Sequence, residues 1–117
     1  MFNLFKKKEL EQQPNLTGIK IEGKFASGQE HGTLEERDEL FELEGKLEVA
    51  LQAIGADHDG HEMGEGNILL FSYGPDPEKM WEVMESLIRQ SSYTNLVVDK
   101  QFDPGNGQKI AVKQIRL

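Results

Sequence analysis

The chain has 117 residues, enough for one domain with a hydrophobic core of its own. Its 21 acidic and 13 basic side chains leave a formal net charge of −8, which repels phosphate backbones and argues against a nucleic-acid partner. The absence of cysteine excludes disulfide frameworks, thiolate zinc sites and cysteine nucleophiles.

The start, MFNLFKKK, places its apolar residues before its lysines, the reverse of a secretory leader. Phe2, Leu4 and Phe5 beside Lys6 to Lys8 make too short an apolar face to hold a membrane surface alone. Residues 1–16 are therefore read as a flexible N-terminal segment and 17–117 as a single domain. No apolar run approaches the roughly 20 residues that cross a bilayer, so a cytoplasmic protein without a transmembrane segment is expected.

From Ile19 to Phe25, apolar and charged residues alternate, which predicts a strand with one face in the core and one in water. Thr33-Leu34-Glu35-Glu36 is a capping box, and a helix starts there. Leu40, Leu43, Leu47, Leu51 and Ile54 recur along it at three- and four-residue steps as its buried stripe. Gly55 suits the left-handed turn that ends such a helix, whereas Gly45 in its middle suggests close packing against a neighbour.

A polar cluster follows, Asp57, His58, Asp59, His61 and Glu62, read as a second strand over 57–63. Asn67 to Tyr73 is apolar on both alternating faces and reads as an interior strand. Asp76-Pro77-Glu78 combines an N-cap, a proline at the first helical position and an early acid. In the helix it opens, Met80, Val83, Met84, Leu87 and Ile88 form the buried stripe, with Trp81 on its border. Two further strands, over 96–102 and 109–117, flank the loop Asp103-Pro104-Gly105-Asn106-Gly107. Ile110 and Val112 fall on the opposite parity from Ile115 and Leu117, which calls for a bulge or a change of packing near Gln114.

The order is β-α-β-β-α-β with an extra C-terminal strand. That order predicts an α+β, ferredoxin-like two-layer sandwich: an antiparallel sheet with both helices on one face and the 57–63 strand at an edge. The expected common core joins Leu40, Leu43, Leu47, Leu70, Phe71, Val83, Leu87 and Val98.

No complete catalytic or cofactor motif is present, so no catalytic residue is assigned, no cofactor is expected, and an enzyme is the less favoured reading. The metal candidates are His58, His61, Asp57, Asp59 and Glu62, since imidazole and carboxylate together suit a divalent ion. On a regular extended strand, however, Asp57, Asp59 and His61 share one face while His58 and Glu62 share the other. The cluster then reads as the charged guard of an edge strand, with a divalent-metal-binding protein or metal-dependent enzyme as the alternative. The first helix concentrates acid: Glu35, Glu39 and Glu42 point away from its leucines, and Glu44 and Glu48 read as part of a solvated face. Glu35, Glu39, Glu42 and Trp81 are the candidate contacts for a basic protein partner. A sheet edge also offers a route to a homo-oligomer.

The run EERDELFELEGKLEVAL, then GADHDGHEMGEG and LLFSYGPDPEKM, resembles a pattern in small uncharacterised bacterial proteins of α+β type, some of them proposed as immunity-like. The resemblance covers about Glu35 to Met80. It implies a bacterial source, an α+β fold and importance for Asp59, Gly60, Glu62, Gly64, Tyr73, Gly74, Pro75 and Asp76. The expected function is a small, non-catalytic interaction or regulatory module that presents an acidic helix face to a protein.

Overall fold

A computed structural model describes residues 17–105 and 107–117. The N-terminal segment 1–16 and Asn106 lie outside these described residues. The elements are β1 (Gly18–Lys24), α1 (Leu34–Gln52), β2 (Asp57–Gly64), β3 (Asn67–Tyr73), α2 (Pro77–Arg89), β4 (Thr94–Phe102) and β5 (Ala111–Arg116). The strands form one sheet in the order β2-β3-β1-β4-β5, and every neighbouring pair is antiparallel. Both helices cover the same face. This is the ferredoxin-like α+β sandwich with one strand added beyond β4.

Local chemistry sets the element ends. Thr33 Oγ1 accepts from the Glu36 N–H at 3.1 Å while Glu36 Oε1 accepts from the Thr33 N–H at 2.8 Å, so the capping box closes in both directions. Asp76 Oδ1 accepts from the Lys79 N–H at 3.1 Å, and Pro77 follows at the first helical position. Gly55, at φ +80, ends α1 in the left-handed conformation expected of it.

The core lies between sheet and helices. Leu40, Leu43, Leu47 and Leu51 of α1 are buried against Ile19, Ile21, Ile68, Leu70 and Val98 of the sheet. Burying each such side chain fully contributes about 1.5 to 3 kcal/mol. Tyr93 packs edge-on against Phe25, with ring centroids 6.0 Å apart.

Several expected placements are corrected. Trp81 is buried, only 6% exposed, whereas Val83 and Leu87 are half-buried at the margin, so the inner stripe of α2 is Met80, Trp81, Met84 and Ile88. Phe71 sits with Leu69 and Tyr73 on the sheet face away from the helices, because its neighbours Leu70 and Ser72 take the buried parity. Gly45 is exposed, with no outside atom within 4 Å of the position a Cβ would take, so close packing does not explain it. The β4–β5 register runs from Val97↔Arg116 to Phe102↔Ala111 without a shift. Hence no bulge stands near Gln114: Ile115 pairs with Val98 toward the helices, and Val112 is simply exposed.

Candidate functional site

The polar cluster becomes a site through one irregularity in β2. His58 stands opposite Ser72 and Gly60 opposite Phe71, so Asp59 is an extra residue and the strand bulges there. Gly60 holds φ +146, a conformation that side-chain-bearing residues rarely adopt. The inserted residue reverses the parity of the strand beyond it. His61 therefore lies opposite Leu70 and faces the helices, as His58 does opposite Ser72, which corrects the separation expected of a regular strand. Asp57 and Glu62, opposite Tyr73 and Leu69, stay on the other face.

Above the two histidines lies α1, and the residue that meets them is Glu44. His58 Nε2 lies 2.6 Å from Glu44 Oε2, and His61 Nδ1 lies 2.7 Å from Glu44 Oε1. A carboxylate only accepts, so both imidazoles donate to Glu44, while the other ring nitrogen of His58, Nδ1, lies within hydrogen-bond distance of the Ser72 hydroxyl at 3.0 Å. Burial by itself would raise the Glu44 carboxyl. Hydrogen bonds from His58 and His61, together with their charge, outweigh burial and bring it down to about 2. Across the strand, burial first and then the nearby Asp59 carboxylate push the Tyr73 hydroxyl up to about 12.

Ser72, His58 and Glu44 stand in the sequence hydroxyl, imidazole, carboxylate that activates a nucleophile in hydrolases. Here Ser72 is wholly buried, so no substrate can reach its oxygen. The relay instead binds the edge strand to the helix. Among the described residues, no group of three or more His, Cys, Asp or Glu side chains is arranged to hold a metal ion. The candidates Asp57, Asp59 and Glu62 do not join the histidines, and Glu44, which does, reads from its sequence position as one more charge on a solvated helix.

The outward side of α1 carries the second feature. Leu34, Phe41 and Val49 recur at seven- and eight-residue intervals and are 63%, 57% and 72% exposed. Gly45 sits between Phe41 and Val49 on the same line, leaving a notch in the ridge. Glu35, Asp38, Glu42 and Glu48 are exposed around it. The Phe41 ring lies 6.1 Å from that of His61, so the ridge adjoins the histidine cluster. Of the predicted partner contacts, Glu35 and Glu42 belong to this exposed face. Glu39 does not: its carboxylate accepts from the Ser92 N–H at 3.0 Å and from the Ser92 hydroxyl, fastening α1 to the chain beyond α2. Trp81, being buried, is no partner contact.

Fold and site together define an α+β sandwich with an acidic, apolar-ridged helix and a histidine-carboxylate relay at one sheet edge. Compared with known protein families, curated proteins and solved structures, the chain matches none. Among the described residues, no helix is long and apolar enough to cross a membrane.

Proposed function

We propose that this protein is a small non-catalytic interaction module whose outer α1 face binds a basic, amphipathic segment of a protein partner. The observation that carries this reading is the line Leu34, Phe41, Gly45, Val49 on one exposed helix face, fringed by carboxylates. Folding gains nothing from three large apolar side chains left in water, whereas a partner helix would bury them and place its lysines or arginines against the acids. The glycine notch accepts a protruding apolar side chain. An immunity-like role, covering a basic toxin, is the specific form that the resemblance of Glu35 to Met80 suggests.

The test is titration of the folded protein with a synthetic amphipathic lysine-leucine helix of about 18 residues, long enough to hold its shape once docked. Amide shifts should concentrate over residues 34–52, and affinity should fall with salt as screening shortens to about 8 Å at physiological ionic strength. Replacing Phe41→Asp and Val49→Asp should abolish the response while the circular dichroism spectrum stays the same. Equal binding by that variant would defeat the reading.

A further inference from the structure

β5 closes the sheet at the end opposite β2, so its outer N–H and C=O groups have no strand beside them among the described residues. Unlike β2, it pairs with its neighbour through six consecutive residues without a bulge. Val112, on the strand, is 55% exposed, and Phe102, which pairs with Ala111, is 51% exposed.

Next to these residues a cleft of about 440 Å³ opens between the first turn of α2 and the β4–β5 pair. Pro75, Pro77, Phe102, Ala111 and Val112 make its apolar walls. Asp76, Glu78, Lys100 and Lys113 also line it, with Lys100 Nζ donating to Glu78 Oε1 at 2.7 Å. The volume falls within the range of about 300 to 1,000 Å³ typical of pockets that seat a ligand or an anchoring side chain.

Charge selects the occupant. From Gln108 to Leu117 the chain carries Lys109, Lys113 and Arg116 and no acidic side chain. Pairing β5 with β5 of a second copy would bring two cationic strands side by side, which costs energy in every register that sets Lys113 or Arg116 against another cation. An extended segment rich in Asp and Glu would meet them favourably. The flat edge would take its backbone, and the cleft one apolar side chain, as in strand addition generally.

We infer that β5 is an addition edge for an extended acidic segment of a partner protein, anchored by one apolar side chain in the cleft beside α2. The surface is separate from the outer α1 face and opposite to it in charge. The two proposals therefore stand or fall independently, since a basic probe addresses one and an acidic probe the other.

The experiment uses the peptide acetyl-Glu-Val-Asp-Phe-Glu-Val-Asp-amide, a version with lysine in place of every acid, and a version N-methylated at alternate amides. At about 1 mM peptide, two-dimensional amide spectra of the protein should shift over residues 111–116 and around Pro77 and Phe102. Exchange of the β5 amides not bonded to β4 should slow by about tenfold or more. The N-methylated peptide, which cannot complete the ladder, should have no effect. Exchanging the peptide's Phe for Ala, or introducing Lys113→Glu with Arg116→Glu in a protein of unchanged circular dichroism, should each weaken binding by about tenfold or more. Equal binding of the lysine peptide, shifts confined to residues 34–52, or no shift at all would overturn the proposal. So would protection of β5 that rises with protein concentration in the absence of peptide, which would assign the edge to a second copy.

Discussion

The two edges of the sheet solve the same problem in opposite ways. β2 exposes its backbone at one end, and the chain bends it with an extra residue, Asp59, and fastens it to α1 through His58, His61 and Glu44. β5, at the other end, pairs with β4 without a register shift and has no strand on its outer side among the described residues, with Gln114 Nε2 donating to Asp99 Oδ1 at 2.9 Å as a side-chain tie. A bulge that interrupts the ladder resists pairing with another chain, whereas a regular edge keeps its outer backbone groups in line. The histidines, conspicuous in the sequence, belong to the bulged edge, and the plainer AVKQIR belongs to the regular one.

The sharpest contrast between the edges is in stability. Leu47, wholly buried on the inner face of α1, should cost about 2 to 5 kcal/mol when truncated to alanine, while Val112→Ala on β5 should change stability by less than about 0.5 kcal/mol. Leu87→Ala should fall between them because Leu87 is only half-buried. Urea denaturation of the three variants measures the series, and a Val112→Ala loss comparable to that of Leu47→Ala would show β5 to be packed rather than bare.

Next in size is the bulge itself. Gly60→Ala forces a side chain into φ +146, which should cost about 1 to 3 kcal/mol and pull His58 and His61 out of register with Glu44. The signature is loss of slowly exchanging β2 amides while those of β4 persist. Uniform loss across the sheet would mean that the two edges are not independent.

Acid titration tests the relay. The Glu44 carboxyl is held near 2 in the folded protein and lies near the ordinary value of about 4.3 when unfolded. Its stabilisation is therefore complete above the unfolded value and fades as pH falls toward 2. It amounts to about 1 to 3 kcal/mol. Glu44→Gln should lower stability at neutral pH and flatten its decline between about pH 4.5 and 2, as read from urea midpoints at each pH. An unchanged acid limb would remove Glu44 as the tie.

The smallest expected effects separate neighbouring acids of α1. Glu42→Lys should leave stability within about 0.5 kcal/mol of the parent, since its carboxylate faces solvent. Glu39→Lys should cost about 1 kcal/mol or slightly more by leaving the Ser92 N–H and hydroxyl without their acceptor. Thermal melts of the two variants decide it, and equal melting temperatures would return Glu39 to the exposed face.

Much of this architecture is written locally. The capping box at Thr33 and Glu36, the Asp76-Pro77 start, the leucine stripe of α1 and the alternation from Ile19 to Phe25 each depend on residues within a turn or two of one another, and so the element order and sandwich were legible from the sequence. The site was legible in half. His58 and His61 stand out as residues, but their faces depend on a one-residue bulge, and a strand's parity reverses with a single insertion that composition does not announce. A Gly60 within the cluster was the one available signal. Glu44 carried none, since its partners lie 14 and 17 residues away and only the packing of α1 over β2 brings them together. The same holds for Trp81, which periodicity left at the border of α2 and packing drew inside, and for Glu39, which meets Ser92 across 53 residues. Near-neighbour chemistry determined where helices and strands begin and which stripe of α1 is apolar. The tertiary structure alone decided which polar groups meet, because hydrogen bonds and burial between distant segments are properties of the assembled sheet and helices, and no single segment contains them.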